Sequence, residues 1–183
     1  SGRYDGGFQG FSQAMKVALD MAANAYQRDG KLSGTATGLR DLDTKMGGLQ
    51  RSDLIIVAGR PGMGKTALAT NIAFNAANRL LTDLQIGIAP AASVGAATAF
   101  FSLEMSADQL ATRILAEQSG ISSEALRMGK ISRDDFQSLS FASQRLADLP
   151  LYIDDTPALS IAALRARARR CSAPGCRRYR AAD

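Results

Sequence analysis

The chain has 183 residues, of which 46% are hydrophobic, 22 are basic and 17 are acidic, with two cysteines and no histidine. This length is typical of a single domain. Without histidine the chain cannot form a Ser-His-Asp or Cys-His nucleophilic site, a histidine general base or an H-E-x-x-H zinc site. No apolar run approaches the roughly 20 residues that cross a bilayer, and residues 1–10 lack the basic start and apolar stretch of a secretion signal. We therefore expect a cytoplasmic protein without a membrane partner.

Basic side chains are concentrated near the end of the sequence. Seven of the 22 lie after residue 164, together with one acidic residue, so residues 1–164 carry 15 basic and 16 acidic side chains. The net charge of +5 therefore comes from the last segment. The body of the chain gives no electrostatic argument for nucleic-acid binding.

The first part of the chain predicts a single exposed helix. Residues 1–10 are polar and rich in glycine, which is typical of a flexible lead-in. Apolar residues then recur at helical spacing and predict an amphipathic helix from Ser12 to Arg28, within a linker segment 11–30. The apolar face of this helix needs a partner surface. The largest residues on this face are Phe11, Met15, Leu19 and Tyr26.

The rest of the chain alternates strands with helices, which predicts an α/β fold with a parallel sheet flanked by helices. Three apolar runs predict buried strands: Leu54–Ala58, Thr98–Leu103 and Leu151–Ile153. Helices are predicted over Ala67–Leu81, from the Ser106 cap to Gln118, over Ser122–Met128, from the Ser132 and Asp135 capping box to Leu149, and after Ser160. The composition of the segment from Asp83 to Ala97 predicts an irregular surface insertion. The turn signals in residues 34–49 predict a succession of turns.

Residues 59–66 match the phosphate-binding loop pattern G-x-x-x-x-G-K-[ST]. Its glycines allow backbone N–H groups to converge on phosphate oxygens, Lys65 supplies an ammonium for the β and γ phosphates, and Thr66 offers a hydroxyl to Mg²⁺. The pattern can occur by chance in a turn, but here a predicted strand precedes it and a predicted helix follows it. We therefore predict ATP and Mg²⁺ as cofactors, bound by Gly59, Arg60, Pro61, Gly62, Met63, Gly64, Lys65, Thr66 and Ala67.

Glu104 follows the second predicted strand and precedes a helix cap. The carboxyl end of a strand beside a phosphate loop faces the ligand in a parallel sheet. A carboxylate at this position can orient and deprotonate the water that attacks the γ-phosphate. It can equally be a helix-entry residue favoured by the helix dipole, and the residues alone leave both interpretations open.

Other polar residues favour structural roles. Asp154 and Asp155 also end a strand and could be acid/base groups or Mg²⁺ ligands, but a turn before Pro157 is the favoured interpretation. Asp41 and Asp43 are predicted to be turn and cap residues. Two cysteines, Cys171 and Cys176, are predicted to be free thiols.

Four segments together resemble the RecA-like motor domain of bacterial replicative DNA helicases of the DnaB type. They are residues 37–43, 47–49, 53–67 and 100–106. The pattern from Thr37-Gly38 to Gly47-Gly48-Leu49 is common to many RecA-like ATPases. The sequence AGRPGMGKTA at 58–67, followed by FFSLEMS at 100–106, is specific to the DnaB type. The resemblance covers residues 11–170, and it implies that 31–170 form the N-terminal part of a RecA-like ATPase motor domain.

This resemblance implies that Lys65 and Thr66 contact phosphate and Mg²⁺ and that Glu104 activates water. It also implies ATP-driven translocation along single-stranded DNA and duplex unwinding at the replication fork. The linker helix would pack on a neighbouring copy in a hexameric ring, and primase and a helicase loader would be partners. Two alternatives remain: another RecA-like ATPase, or a non-catalytic module that binds nucleotide or a helicase subunit.

The sequence also departs from the family pattern. The family's N-terminal helical domain does not precede Ser1, and the stretch 81–97 is longer than the usual loop. After Arg170 the family continues into a strand that ends in a second Mg²⁺-site carboxylate, followed by DNA-binding loops and an arginine finger. Here residues 171–183 cannot form that strand, because proline, glycine and alternating arginines leave no apolar face.

We therefore expect a motor domain that is incomplete at its C-terminus. Residues 171–183 are predicted to be a disordered basic tail of foreign or out-of-frame origin, and the alternative is a genuine tail that contacts nucleic acid. The chain alone is expected not to hydrolyse ATP appreciably, because an arginine finger by itself contributes ~10³-fold or more to the rate.

Overall fold

The computed structural model describes residues 10–27 and 32–171, so residues 1–9 of the predicted lead-in and residues 172–183 of the predicted tail, with Cys176, lie outside the described residues. Within these ranges seven helices, one short 3₁₀ turn at Pro90–Ala92 and two strands are formed. In chain order they are α1 (Phe11–Gln27), α2 (Arg40–Met46), α3 (Lys65–Gln85), β1 (Thr98–Phe101), α4 (Ala107–Ser119), α5 (Ser123–Met128), α6 (Arg133–Leu146), β2 (Leu151–Asp154) and α7 (Ile161–Cys171). No described helix has both the length and the apolar composition needed to cross a membrane.

The two strands pair in parallel, as the alternation of strands and helices predicts. Thr98 lies beside Leu151 and Phe101 beside Asp154. Parallel neighbours need a long crossover, which α4, α5 and α6 supply. On the sheet, α3 packs against both strands. This packing fixes the position of the carboxyl end of β1 relative to α3.

Apolar residues at helical spacing form the core. On α3 the buried positions Ala73, Ala77 and Leu81 recur every four residues, and Phe74 lies beside them. The partner helices α4 and α6 pack on each other, and their buried residues are Leu110, Ile114, Ala116, Leu139 and Ala142. Burial of a single leucine such as Leu110 contributes about 1.5–3 kcal/mol to the free energy of unfolding. The packing of α4 on α6 therefore fixes α4, and with it the turn that directly precedes α4.

Serine caps begin the helices where the sequence predicts them. The side chains of Ser106 and Ser132 accept hydrogen bonds from the N–H groups of Gln109 and Asp135 and form capping boxes, while Ser122 caps α5. Helix ends are less well predicted. The sixth helix ends at Leu146 rather than Leu149, and α3 extends from Lys65 to Gln85 rather than from Ala67 to Leu81.

The predicted strand from Leu54 to Ala58 is wrong for this structure, because residues 53–60 have no regular secondary structure. Leu54 and Ile56 are 86% and 79% exposed. A strand exists only where a neighbour completes its hydrogen bonds. Among residues 10–27 and 32–171, β1 pairs with β2 alone and no segment pairs with 54–58. The segment still leads directly into the glycine loop.

The prediction of a surface insertion over 83–97 is also wrong in part, because this segment returns along α3. Buried Asp83 accepts hydrogen bonds from the Ser93 hydroxyl at 2.6 Å and from Arg79 at 3.0 Å, and these bonds lower the pKa of Asp83. The Ala96 N–H donates to the carbonyl of Ala76. A side chain at Gly95 would collide with the α3 backbone, so glycine is needed there.

The turn-rich stretch 34–49 contains a helix, α2, that its sequence does not predict. Asp43, within this helix, accepts hydrogen bonds from the Thr37 N–H and hydroxyl, both at 2.8 Å, and from the Gly38 N–H. Asn75 on α3 donates to the Thr37 carbonyl. The prediction that Asp43 caps a turn is therefore confirmed, and this turn is fastened to the helix that follows the glycine loop.

The first helix forms over nearly the predicted residues, and its apolar face is exposed. Every described side chain of α1, from residue 11 to residue 23, is exposed, including Phe11 at 77%, Met15 at 45% and Leu19 at 64%. Tyr26 belongs to the helix, but its side chain lies outside the described residues. An amphipathic face of this kind requires a surface outside its own helix.

Candidate functional site

The glycine loop between residue 59 and α3 has a backbone that requires glycine. Gly62 and Gly64 have φ values of +78° and +84°, a region that L side chains rarely adopt. Gly64 is also the N-cap of α3, so the loop feeds directly into the positive end of this 21-residue helix. The free N–H groups and the helix dipole at this end favour an anion.

The Lys65 ammonium lies over its own loop. Its Nζ donates hydrogen bonds to the carbonyl oxygens of Gly59 at 2.8 Å and Arg60 at 3.0 Å. These contacts hold the cation on the side of the loop where the helix begins. Thr66 follows on the first turn of α3 and is half-buried.

Glu104 lies on the turn between β1 and α4. The turn is closed by the hydroxyl of buried Ser102, which accepts a hydrogen bond from the Met105 N–H at 3.1 Å. Both Leu103 and Glu104, between these two residues, are exposed. The turn therefore presents the Glu104 carboxylate at the carboxyl end of β1.

The loop and the Glu104 turn line one cleft of about 730 Å³. Lys65 and Thr66 reach it from the start of α3 and Glu104 from the turn before α4. Of the predicted phosphate-binding residues, those that line the cleft are Pro61, Gly62, Gly64, Lys65, Thr66 and Ala67, whereas Gly59, Arg60 and Met63 do not. Gly59 and Arg60 instead contact the Lys65 ammonium through their carbonyls, and the Met63 side chain is exposed.

The cleft also contains residues that the sequence motifs do not identify. Phe100, Phe101 and Met105 supply an apolar wall beside Glu104, and Arg113 of α4 reaches the same space. Arg113 is positioned two turns along α4, so only the three-dimensional packing brings it to the loop. A cation and an apolar wall in a phosphate-binding cleft suit a nucleotide, which has both charged and apolar parts.

A larger groove of about 1300 Å³ lies between α4, α5 and α6. Met105 and Arg113 line both spaces, but Lys65, Thr66 and Glu104 do not line the larger one. We place the candidate site in the smaller cleft, which we call the nucleotide-sized cleft, because the Lys65 cation, the Thr66 hydroxyl and the Glu104 carboxylate all line it.

The donor set in the smaller cleft fits Mg²⁺ carried by a nucleotide. In the described part of the chain no group of three or more His, Cys, Asp or Glu residues could hold a metal ion alone. Mg²⁺ in phosphate-binding sites keeps several waters and is held mainly by phosphate oxygens with one or two protein oxygens. The Thr66 hydroxyl at the start of α3 can be one of these oxygens.

The carboxylates at the end of β2 have structural partners. Asp154 closes a turn with Thr156, as the favoured interpretation predicts, whereas Asp155 contacts the distant Ala107. Arg167 of α7 donates to Asp154 at 2.6 and 2.8 Å, and the Thr156 N–H and hydroxyl donate to the same carboxylate. Hydrogen bonds from Thr156, followed by that from Arg167, lower the pKa of Asp154 to about 2. Asp155 accepts a hydrogen bond from the Ala107 N–H at 2.8 Å. Neither residue lines the nucleotide-sized cleft.

The Asp154 contacts predict an acid-sensitive contribution to stability. Replacing Asp154 by asparagine should lower the free energy of unfolding by about 1–2 kcal/mol at neutral pH, because the charge-assisted bonds to Arg167 and Thr156 are weakened. The native pKa lies below the unfolded value, so this contribution is complete above about pH 4 and is lost as the pH falls towards about 2. Urea denaturation at a series of pH values measures it.

Exposed Asp134 on α6 provides the control, since Asp134→Asn changes the charge equally without removing an ion pair. A stability difference for Asp154→Asn that is the same at pH 7 and pH 2 would contradict this account.

With this geometry established, comparison with known proteins decides the family. The sequence model described as "DnaB-like helicase C terminal domain" matches residues 34–177. The chain belongs to this family. The match runs past residue 170, the predicted limit of the motor segment, while the foreign origin of the tail stays a prediction.

Curated relatives of this DnaB-family chain are bacterial replicative helicases. The replicative DNA helicase DnaB of Rickettsia prowazekii is 48% identical over 157 residues, which cover 86% of this chain and 32% of the relative. DnaB of Geobacillus stearothermophilus is 38% identical over 168 residues, which cover 92% of this chain and 34% of the relative. The chain thus spans about a third of the length of these relatives.

Solved structures show the fold. A solved ATPase domain superposes with a TM-score of 0.75 at 22% identity, covering 92% of this chain and 55% of that chain. A DnaB-like replicative helicase, whose structure was described with its interactions with primase, gives a TM-score of 0.71 at 22% identity, covering 96% of this chain and 38% of that one. The predicted RecA-like α/β fold is therefore confirmed.

Proposed function

We propose that this chain carries the ATP-binding and water-activating residues of a replicative DNA helicase motor. The observation that supports the proposal is the convergence of Lys65, Thr66 and Glu104 on one cleft, from two segments about 40 residues apart in sequence. Phosphoryl transfer to water needs a cation for the phosphates, a hydroxyl for Mg²⁺ and a carboxylate for the attacking water, and these three residues supply them. The family assignment favours this motor over other RecA-like ATPases.

Each residue has one role in the proposed reaction. The loop N–H groups and Lys65 bind the β and γ phosphates, with the ammonium leaving the Gly59 and Arg60 carbonyls for phosphate oxygens. Bound Mg²⁺ supplies charge neutralisation on the phosphates, and the Thr66 hydroxyl helps to hold it. Glu104 orients a water molecule and accepts its proton as the oxygen attacks the γ-phosphate, which leaves ADP and inorganic phosphate as products.

The proposed motor would move along single-stranded DNA and open duplex DNA at the replication fork, in the cytoplasm. Steady-state ATP turnover with and without single-stranded DNA, in a complete helicase subunit that carries this sequence, tests this function. We expect turnover that DNA stimulates. Nucleotide binding without turnover under either condition would instead identify a non-catalytic module.

We further propose that α1 packs on another copy of the chain, as part of a hexameric ring, and that primase and a helicase loader act on the complete protein. Exposed Phe11, Met15 and Leu19 support the first part, because water-exposed apolar area costs about 25 cal/mol per Å². The solved DnaB-like helicase whose interactions with primase are described supports primase as a partner.

Met15→Asp combined with Leu19→Asp should reduce self-association, since two carboxylates on the apolar face cannot be desolvated at low cost. Analytical ultracentrifugation of the chain measures the effect. The control is Lys16→Asp with Asp20→Lys, which exchanges two charges of α1 and leaves Phe11, Met15 and Leu19 in place. Unchanged association in the Met15 and Leu19 variant would show that α1 does not mediate contacts between copies.

A further inference from the structure

The turn that carries Glu104 is fastened at both ends to two consecutive residues of β2 and the segment after it. At its start, the Ser102 N–H donates to the carbonyl of Asp154 at 2.9 Å. At its end, the Ala107 N–H donates to the Asp155 carboxylate at 2.8 Å, across 48 residues of sequence. The backbone from 102 to 107 is therefore held from outside at two points.

The same turn is also braced from within. Buried Ser102 accepts the Met105 N–H, and the Ser106 N–H donates to the Gln109 side chain at 3.1 Å. Together with the two outer bonds, these contacts engage the N–H groups on either side of Leu103 and Glu104. The Glu104 side chain projects from a backbone with little freedom, towards the cleft that Lys65 lines.

We propose that Asp155 is a positioning residue for ATP hydrolysis, which keeps Glu104 in line with the phosphate loop by holding the first N–H of α4. This inference rests on the proposed role of Glu104 as the group that activates water. A water molecule could satisfy the same N–H, but it could not transmit the position of β2 to the turn. A displacement of about 1 Å in a catalytic group can cost 10²-fold in rate, so a fixed turn matters for turnover and not for binding.

A carboxylate that only caps a helix would accept the same kind of hydrogen bond as Asp155 without positioning Glu104. The chain contains such a cap, which serves as a control. The Asp135 carboxylate accepts the Ser132 N–H at 2.9 Å at the start of α6, and it does not line the nucleotide-sized cleft. Asp135→Ala therefore removes a bond between a carboxylate and a backbone N–H at the start of α6, which does not adjoin the Glu104 turn. Its effect measures the contribution of a cap to stability alone.

The test is the kcat and KM for ATP of Asp155→Ala, Asp155→Asn and Asp135→Ala in a complete helicase subunit that carries this sequence. Asp155→Ala should lower kcat by about tenfold to a hundredfold at unchanged KM. Asp155→Asn, whose amide oxygen can still accept the Ala107 N–H, should stay within about threefold of the parent. Asp135→Ala should leave kcat unchanged. Ser102→Ala removes the hydroxyl that accepts the Met105 N–H but keeps the bond from the Ser102 N–H to Asp154, so it loosens the same turn from within. It should also lower kcat at unchanged KM, and it tests the need for a fixed turn if Asp155→Ala does not fold.

A double variant separates positioning from stability. When Glu104→Gln is already present, Asp155→Ala should cause no further loss of turnover, because there is no general base left to position. Equal kcat values for Asp155→Ala and Asp135→Ala, or a further loss in the Glu104→Gln background, would overturn the inference. If Glu104→Gln itself retains turnover, the proposed function of Glu104 fails. If Glu104→Gln loses turnover but Asp155→Ala does not, only the role of Asp155 fails.

Discussion

Replacing Glu104 by glutamine is expected to abolish ATP turnover while ATP affinity stays at the parent value. Glu104 lines the same cleft as Lys65 and Thr66, on a turn held by Ser102 and Asp155. An amide of the same shape cannot accept the proton of the attacking water, and loss of a general base typically costs 10²–10⁴-fold in rate. Steady-state kcat and the Kd of a fluorescent ATP analogue, in a complete helicase subunit carrying this sequence, give both values.

A matched change elsewhere controls for the loss of a negative charge. Glu124 lies in the first turn of α5 and lines the larger groove rather than the nucleotide-sized cleft. Glu124→Gln should therefore keep the parent kcat. Retained turnover in Glu104→Gln would leave Glu104 as a helix-entry residue favoured by the dipole of α4.

Replacing Lys65 by alanine is expected to weaken ATP binding by about 1.5–3 kcal/mol, which is roughly tenfold to 150-fold in Kd. The ammonium is already held over the loop by the Gly59 and Arg60 carbonyls, so little rearrangement is needed to reach phosphate. Its removal deletes a charge-assisted contact to phosphate. Isothermal titration of the chain with ATP and Mg²⁺ measures the loss.

Lys45→Ala provides the comparison, because exposed Lys45 lies in the last turn of α2 and does not line the cleft. Melting temperatures of both variants show whether the loop change also affects folding. Equal ATP affinity in Lys65→Ala and the parent would remove the phosphate-binding role from Lys65.

Local patterns predict the serine-capped helix starts and the need for glycine in the loop at 59–66, because a few neighbouring residues determine them. Ser106, Ser122 and Ser132 cap helices through bonds that span three residues, and Gly62 and Gly64 are needed for the conformation of their own backbone. The parallel pairing of β1 with β2 also follows from the alternation of strands and helices.

Features that depend on distant partners are not predictable in this way. The segment 54–58 has the composition of a buried strand, yet composition cannot supply the neighbour that would complete its hydrogen bonds. Asp83 binds Ser93 across a stretch that looks irregular in sequence. Asp155 resembles a turn residue until the structure shows its bond to Ala107, and Arg113 enters the cleft only through the packing of α4.

A crystal structure of the chain with Mg²⁺ and a non-hydrolysable ATP analogue tests most directly whether the loop and Glu104 form one ATP site. We expect the triphosphate on residues 59–66, with the Lys65 ammonium moved from the Gly59 and Arg60 carbonyls to the β and γ phosphates and Glu104 facing the γ-phosphate. An analogue bound in the groove between α4, α5 and α6, or bound at the loop with Glu104 turned away from the γ-phosphate, would contradict the account.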